Sequence, residues 1–149
     1  MTKPRMLALL VVAAHWLDAV GHLFLAAKVL APPNDHVSWL AVTLITSGHL
    51  VVAIVLWMLS AKIGGVVSLI FFLSAMGADL YEHFLHASGN NVFMVAPGDW
   101  TAGFNASVFA LLGLEIVGCV LGVILLGGWM RHDRQPQIAN HGAGAAAKI

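Results

Sequence analysis

Histidines and acidic residues recur at helical spacing inside long apolar stretches of this 149-residue sequence. His15, Asp18 and His22 stand at positions i, i+3 and i+7, a spacing that places three side chains on one face of a helix. The segment DLYEHFLH, residues 79–86, repeats the pattern with two acidic residues and two histidines. Imidazole binds zinc, copper, iron or nickel, and carboxylates bind harder ions or bridge two metals. The residue types therefore predict a metal site between helices.

Depth along the helices predicts which of these side chains can meet. Counting from the basic residues that flank the apolar stretches, at ~1.5 Å of rise per residue, brings side chains from four stretches into a slab of about 6 Å. The predicted metal ligands are Asp18, His22, His49, Asp79, His83 and Glu115. His15 counts deeper than this slab, whereas Glu82 and His86 count closer to the outer end. We expect these three residues to surround the site or to line its entrance.

Apolar stretches of membrane-spanning length must position these residues. The sequence is 60% hydrophobic and 9% charged, which is typical of membrane proteins. A hydrocarbon core of ~30 Å needs about 20 helical residues. The predicted spans are residues 6–29, 38–60, 63–87 and 102–130, with turn-forming segments such as SAKIGG at 60–65 between them. The prediction is an all-α membrane domain over residues 1–130, a bundle of four transmembrane helices. Gly118 and Gly122 form a GxxxG motif in the fourth span, which favours close approach of a neighbouring helix.

Basic residues predict the orientation of this bundle, because most of them lie at one side of it. They are Lys3, Arg5, Lys62, Arg131 and Arg134. By the positive-inside rule both termini are predicted to be cytoplasmic, and the connections at 31–37 and 87–101 to lie outside. Residues 131–149 are polar and then rich in glycine and alanine, so we expect a disordered cytoplasmic tail. The protein is predicted to be a multi-pass membrane protein, of the inner membrane if it is bacterial.

The predicted function is that of a small membrane metalloprotein whose site opens to the outer face. Copper or iron is expected rather than zinc, in an oxidoreductase that acts on a small or lipophilic molecule or in an accessory subunit of a membrane oxidase. Asp-x-x-x-His, present at 18–22 and at 79–83, together with the further histidines, resembles the copper-ligand pattern in a membrane subunit of particulate methane monooxygenase. The resemblance covers these few residues and implies a copper site.

Three alternatives stay open at the level of the sequence. Two histidines on different helices, such as His22 or His49 opposite His83, could hold haem b, although the carboxylates disfavour an apolar haem pocket. The trail of ionisable residues could instead carry a metal ion or a proton. The chain could also be a structural subunit of a larger membrane complex or a homo-oligomer. Nucleic acid is not an expected partner, because seven basic and seven acidic residues balance and no basic cluster is present.

Overall fold

Four long helices build the protein. The structure, a computed structural model, describes residues 2–30 and 38–132. The helices are α1 Lys3–Leu30, α2 Trp39–Met58, α3 Ala61–Leu80 and α4 Thr101–His132, and a π-helical segment, Tyr81–Leu85, continues α3. The four spans that they form are long and apolar enough to cross a membrane. The predicted all-α membrane fold is therefore confirmed, whereas the side on which the termini lie stays a prediction.

The ends of the helices differ from the predicted spans by a few residues. Helix α1 starts three residues before the predicted position 6, and α4 continues to His132. The connection 31–37 and the predicted disordered tail from residue 133 onward lie outside the described residues.

Helix α3 begins earlier than its glycines predict, since the break after α2 is confined to Leu59 and Ser60. The Ser60 hydroxyl accepts a hydrogen bond from the backbone N–H of Ile63 at 3.3 Å and so caps the first turn. Gly65 lies inside the helix, where an added Cβ would stand 3.0 Å from the carbonyl oxygen of Gly122. The glycines that predicted a turn are therefore packing residues, and the assignment of 60–65 to a turn was wrong.

The GxxxG motif of α4 lies against α3, in agreement with the predicted close approach. An added Cβ at Gly118 would stand 2.3 Å from the ring of Phe72, and one at Gly122 would stand 3.2 Å from the backbone nitrogen of Leu69. Small residues at such a contact let two helix backbones approach closely. The motif thus fixes α3 and α4 as the tightly packed pair of the bundle.

An apolar core fills the half of the bundle that contains the start of α1 and the end of α4, here called the terminal half. Its buried members come from all four helices and are Ala8, Val12, Val52, Leu56, Phe72, Leu121 and Leu125. Arg5 ties α1 to α2 in this half, because its guanidinium donates hydrogen bonds to the backbone carbonyls of Leu56, Trp57 and Leu59. Two of these carbonyls belong to the last turn of α2 and the third to Leu59, the residue that follows it, and carbonyls at a helix end lack partners within the helix.

Large apolar side chains also cover the outside of the bundle. Leu10, Leu44, Leu73 and Ile116 are examples from the four helices. An apolar exterior of this extent suits lipid and is unusual for a soluble monomer. The buried ionisable residues, His15, His22, His49, His83 and Glu115, lie inside the opposite half, here called the loop half.

Candidate functional site

A cavity of about 450 Å³ occupies the loop half between all four helices and the π segment. Its polar lining consists of His15, His22, His49, Asp79, Glu82, His83, Asn90 and Glu115. Five of the six predicted ligands therefore share one cavity, since only Asp18 is missing from the lining. No lysine or arginine is present among the described residues that line it.

The deeper part of the cavity holds a cluster from three helices, here called the lower cluster: His15, His49 and Glu115. His15 Nδ1 lies 2.7 Å from His49 Nε2, and His15 Nε2 lies 3.3 Å from Glu115 Oε1. All three side chains are buried, and Glu115 is 0% exposed. His15, which sequence depth placed below the site, is in fact the residue that joins its two neighbours.

A second cluster, the upper cluster, lies nearer the loops and consists of His22, His83 and Asp79. The rings of His22 and His83 meet edge to face with centroids 4.9 Å apart. Asp79 precedes His83 by one helical turn and interacts electrostatically with it. The Asp79 carboxyl also interacts with Glu115, so the two clusters adjoin through their carboxyl groups.

Protein oxygen atoms fix the tautomers of three cavity histidines. His49 Nδ1 lies 2.7 Å from the carbonyl oxygen of Ile45, and His83 Nδ1 lies 2.9 Å from that of Asn90. A carbonyl oxygen can only accept, so each Nδ1 carries a proton, and in the neutral ring each Nε2 keeps a lone pair. The third of these histidines, His22, is held by a hydroxyl oxygen.

Ser107 orients His22 in the same way. The Ser107 hydroxyl donates to the carbonyl oxygen of Phe104 at 2.8 Å, so its oxygen accepts from His22 Nδ1, also at 2.8 Å. His22 Nε2 therefore keeps its lone pair. No sequence pattern predicted the roles of Ser107 and Asn90, because a serine or asparagine that orients a histidine ring has no characteristic spacing from it.

The lower cluster lacks a partner for one carboxylate oxygen. His49 Nε2 accepts the proton of His15 Nδ1, so His15 Nε2 faces Glu115 as a lone pair when the ring is neutral. Glu115 Oε2 is buried without a hydrogen-bond partner among the described residues. A charged side chain at such a depth costs ~2.5–3.5 kcal/mol on membrane-insertion scales. The cluster therefore calls for a proton or another cation.

Two residues of the predicted site lie away from the cavity. At 3.6 residues per turn, His22 is about 20° from His15 around the helix axis, whereas Asp18 is about 60° from it. Asp18 interacts electrostatically with His15 but does not line the cavity, and its Oδ2 is buried without a partner among the described residues. His86 is exposed, stacks on Tyr81 and lies 3.5 Å from the Glu82 carboxylate. Only Glu82 of this pair reaches the cavity.

Aromatic side chains that the sequence did not single out enclose the lower cluster. Phe71 packs edge-on against His49, with ring centroids 5.0 Å apart, and Phe72 packs edge-on against His15 at 5.4 Å. Phe72 is fully buried and belongs to the apolar core. The core of the terminal half thus forms the floor of the cavity.

The ionisable side chains of the cavity do not surround a common point as the ligands of a metal ion do. In the part of the chain that the structure describes, no group of three or more His, Cys, Asp or Glu side chains is arranged to hold a metal ion. Comparison of the chain with protein-family models, curated proteins and solved structures gave no match.

Proposed function

We propose that the protein binds a transition metal, iron or copper, in the cavity of the loop half. The observation that carries this proposal is the tautomer of His22, His49 and His83, each of which gives its Nδ1 proton to a protein oxygen. Metal-binding histidines almost always donate their second ring N–H in this way, because the contact orients the ring and raises the basicity of the ligating nitrogen. The half-buried carboxyl group of Asp79 and the buried carboxyl group of Glu115 supply negative charge that a cation would neutralise.

The two clusters have the same ligand composition. Each contains two histidines and one carboxylate, which is the ligand set of many non-haem iron sites. The carboxyl groups of Asp79 and Glu115 interact with each other. A carboxylate of one cluster could therefore also bind an ion held by the other cluster. The proposal therefore covers one ion or two, and the stoichiometry is a quantity to measure.

Binding requires modest rearrangement of the lower cluster. His15 Nδ1 and His49 Nε2 point at each other across 2.7 Å, although two nitrogens bound to one ion at ~2.1 Å stand about 3 Å apart and point at a common centre. Turning the rings breaks the hydrogen bond between His15 and His49, which contributes about 1 kcal/mol net to stability. Coordination contributes much more, about 10–16 kcal/mol for structural zinc. The free energy lost with this hydrogen bond is thus small beside the free energy of coordination.

The distances favour a metal ion over haem. The rings of His22 and His83 have centroids only 4.9 Å apart and meet edge to face. A porphyrin between two axial imidazoles needs a wider gap and an apolar surround, whereas Asp79 adjoins this pair. We therefore propose that haem b is not the cofactor.

A proton-holding network is the second candidate, and one specific contact favours it. The chain of contacts from His49 through His15 to Glu115 is already hydrogen-bonded without a metal. Such a network could hold a proton at the buried carboxyl, and the apolar core that contains Phe72 borders it on the side of the terminal half. This candidate predicts a protein that binds no metal.

Metal analysis of full-length protein separates the two candidates. The protein is purified in detergent after growth with iron or copper, and bound metal is measured by mass spectrometry. His49→Ala and His83→Ala should each lower the affinity for metal at least about tenfold. His86→Ala is the matched control, because it removes an exposed histidine of the same DLYEHFLH segment and should leave binding unchanged.

Two outcomes would contradict the proposed metal site. If the parent protein carries no metal above background and His49→Ala is as stable to heat as the parent, the metal proposal fails. If metal is bound but both variants retain it, the ion lies elsewhere in the protein.

A further inference from the structure

The cavity is much larger than a metal ion requires. Its volume of about 450 Å³ falls in the range of sites that bind drug-sized ligands, ~300–1,000 Å³. Along α1 it extends from His15 to Ala26, which corresponds to about 16 Å at 1.5 Å per residue. The walls between the polar groups are apolar and include Leu23, Ile45 and Leu111. A second, mostly apolar occupant therefore fits beside the proposed metal.

The polar groups in the cavity are chiefly acceptors. The Nδ1 protons of His22 and His83 are already given to protein oxygens, which leaves the Nε2 lone pairs. Carboxyl groups such as those of Asp79 and Glu82 are acceptors when ionised. A ligand that donates a hydrogen bond complements this surface, whereas a ketone or an ester would find few donors.

A groove on the lipid-facing side of the bundle adjoins the same cavity. The groove runs between α2 and α3 and is lined by apolar residues such as Val51, Val67 and Ile70. Phe71 and Gly48 line both the groove and the cavity, and they form the partition between them. Gly48 has no side chain, and an added Cβ would stand 3.7 Å from the Phe71 ring. A route between the groove and the cavity at this point would require displacement of the Phe71 ring, which packs against His49 and Phe72.

We propose that the cavity binds a lipid-soluble molecule with a hydroxyl group, an alcohol or a phenol, which reaches it from the bilayer between Gly48 and Phe71. The apolar walls hold the body of the ligand. Its hydroxyl group donates to the acceptors of the upper cluster when no metal occupies them, and lies beside the metal when one is bound. The position of the hydroxyl beside a metal rests on the proposed function, whereas the position of the apolar body does not.

Photolabelling tests this inference with two matched probes. Full-length protein in phosphatidylcholine vesicles is irradiated with a decanol that carries a diazirine, and the labelled residues are mapped by mass spectrometry. Leu23, Ile45 and Leu111 should be labelled, and excess unlabelled decanol should compete. The decane with the same diazirine but without the hydroxyl should label these walls at least fivefold less. Equal labelling by both probes, or labelling confined to lipid-facing residues such as Leu73, would overturn the inference.

The route is tested by substitutions at the partition. Gly48→Leu should lower labelling of Leu111 at least fivefold, whereas Gly77→Leu, at a lipid-exposed glycine of α3 with nothing within 4 Å of its added Cβ, should not. Phe71→Ala should speed labelling and guards against a folding defect in the first variant. Unchanged labelling rates in both Gly48→Leu and Phe71→Ala would refute access at this point.

The same vesicles distinguish this inference from the metal proposal. If the protein binds no metal but its cavity walls are still labelled, the ligand site is supported and the metal proposal fails. Metal binding without labelling of the cavity walls refutes the ligand site alone.

Discussion

The contact between Gly118 and Phe72 offers a quantitative test of how the apolar core supports the site. An alanine at position 118 would place its Cβ 2.3–2.5 Å from three atoms of the Phe72 ring. Carbon atoms pack at about 3.5–4.0 Å, so the ring would have to move by more than ~1 Å. Phe72 is fully buried and touches the rings of His15 and Phe71, which leaves it little room. Gly118→Ala should therefore disturb both the core and the lower cluster.

Two opposing terms set the expected size of the effect. Alanine stabilises a helix by about 1 kcal/mol relative to glycine. Overpacking a rigid core costs about 1–3 kcal/mol, and the closeness of this contact places the cost near the upper end. Gly118→Ala should then destabilise the protein by about 2 kcal/mol. Gly113→Ala, in the same helix with nothing within 4 Å of its added Cβ, should instead stabilise it by up to ~1 kcal/mol.

Reversible unfolding in mixed detergent micelles measures both variants on one scale. A further variant, Gly118→Ala combined with Phe72→Leu, removes the ring that the new methyl group meets. If the ring is the obstacle, a double-mutant cycle should show a favourable coupling of at least ~1 kcal/mol. Gly118→Ala should also weaken binding of the proposed metal, because Phe72 packs against His15.

The reasoning is refuted if Gly118→Ala and Gly113→Ala have the same stability. It is also refuted if Phe72→Leu adds its own cost without relieving that of Gly118→Ala. Either outcome would mean that α3 and α4 separate easily and that the close contact does not position the site.

Three further predictions concern other parts of the molecule. Ser107→Ala should lower affinity for the proposed metal by about 10–100-fold, whereas Ser68→Ala should leave it unchanged, since the buried Ser68 hydroxyl lacks a hydrogen-bond partner among the described residues; isothermal titration measures both. Arg5→Ala should lower the free energy of unfolding by about 1.5 kcal/mol, because charged hydrogen bonds to the end of α2 are lost, and unchanged micelle unfolding would contradict this. In a cysteine-free background, Asp99→Cys should react with an impermeant thiol reagent in intact cells and Lys62→Cys should not, and the reverse pattern would invert the predicted orientation.

The fold was predictable because the apolar stretches that specify it are long. Four apolar stretches specify four helices whatever their detailed ends, since backbone groups in lipid must be paired within the chain. The glycine pair at 64 and 65 misled the boundary of α3, because glycine marks a turn by its backbone freedom and a close helix contact by its small size. Only the contact of Gly65 with Gly122 shows which property is used.

The composition of the site was predictable, but the depth of its members was not. The sequence placed His15 three residues deeper than His49, which is about 4.5 Å at 1.5 Å per residue. Their rings are nevertheless in contact, with 2.7 Å between ring nitrogens. Arg5 explains the error, because its side chain reaches the carbonyls of Leu56 and Leu59, which precede Lys62 by six and three residues. The two basic residues used as references, Arg5 and Lys62, therefore do not mark one level. A flanking basic residue marks a membrane surface only within the length of its side chain.

The π-helical segment explains why the polar face of DLYEHFLH ends at His83. In an unbroken α-helix His86 would lie about 20° from Asp79 and would face the cavity. The N–H of His86 donates instead to the carbonyl oxygen of Tyr81, five residues earlier, at 2.7 Å. The wider turn rotates the following residues, so His86 points outward and stacks on Tyr81. The carbonyl oxygen of His83 is then free to accept from the N–H of Val92 at 3.0 Å, while its ring donates to Asn90. One local irregularity therefore anchors the loop that follows α3 and fixes the ring of a proposed metal ligand, and α-helical spacing alone could not reveal it.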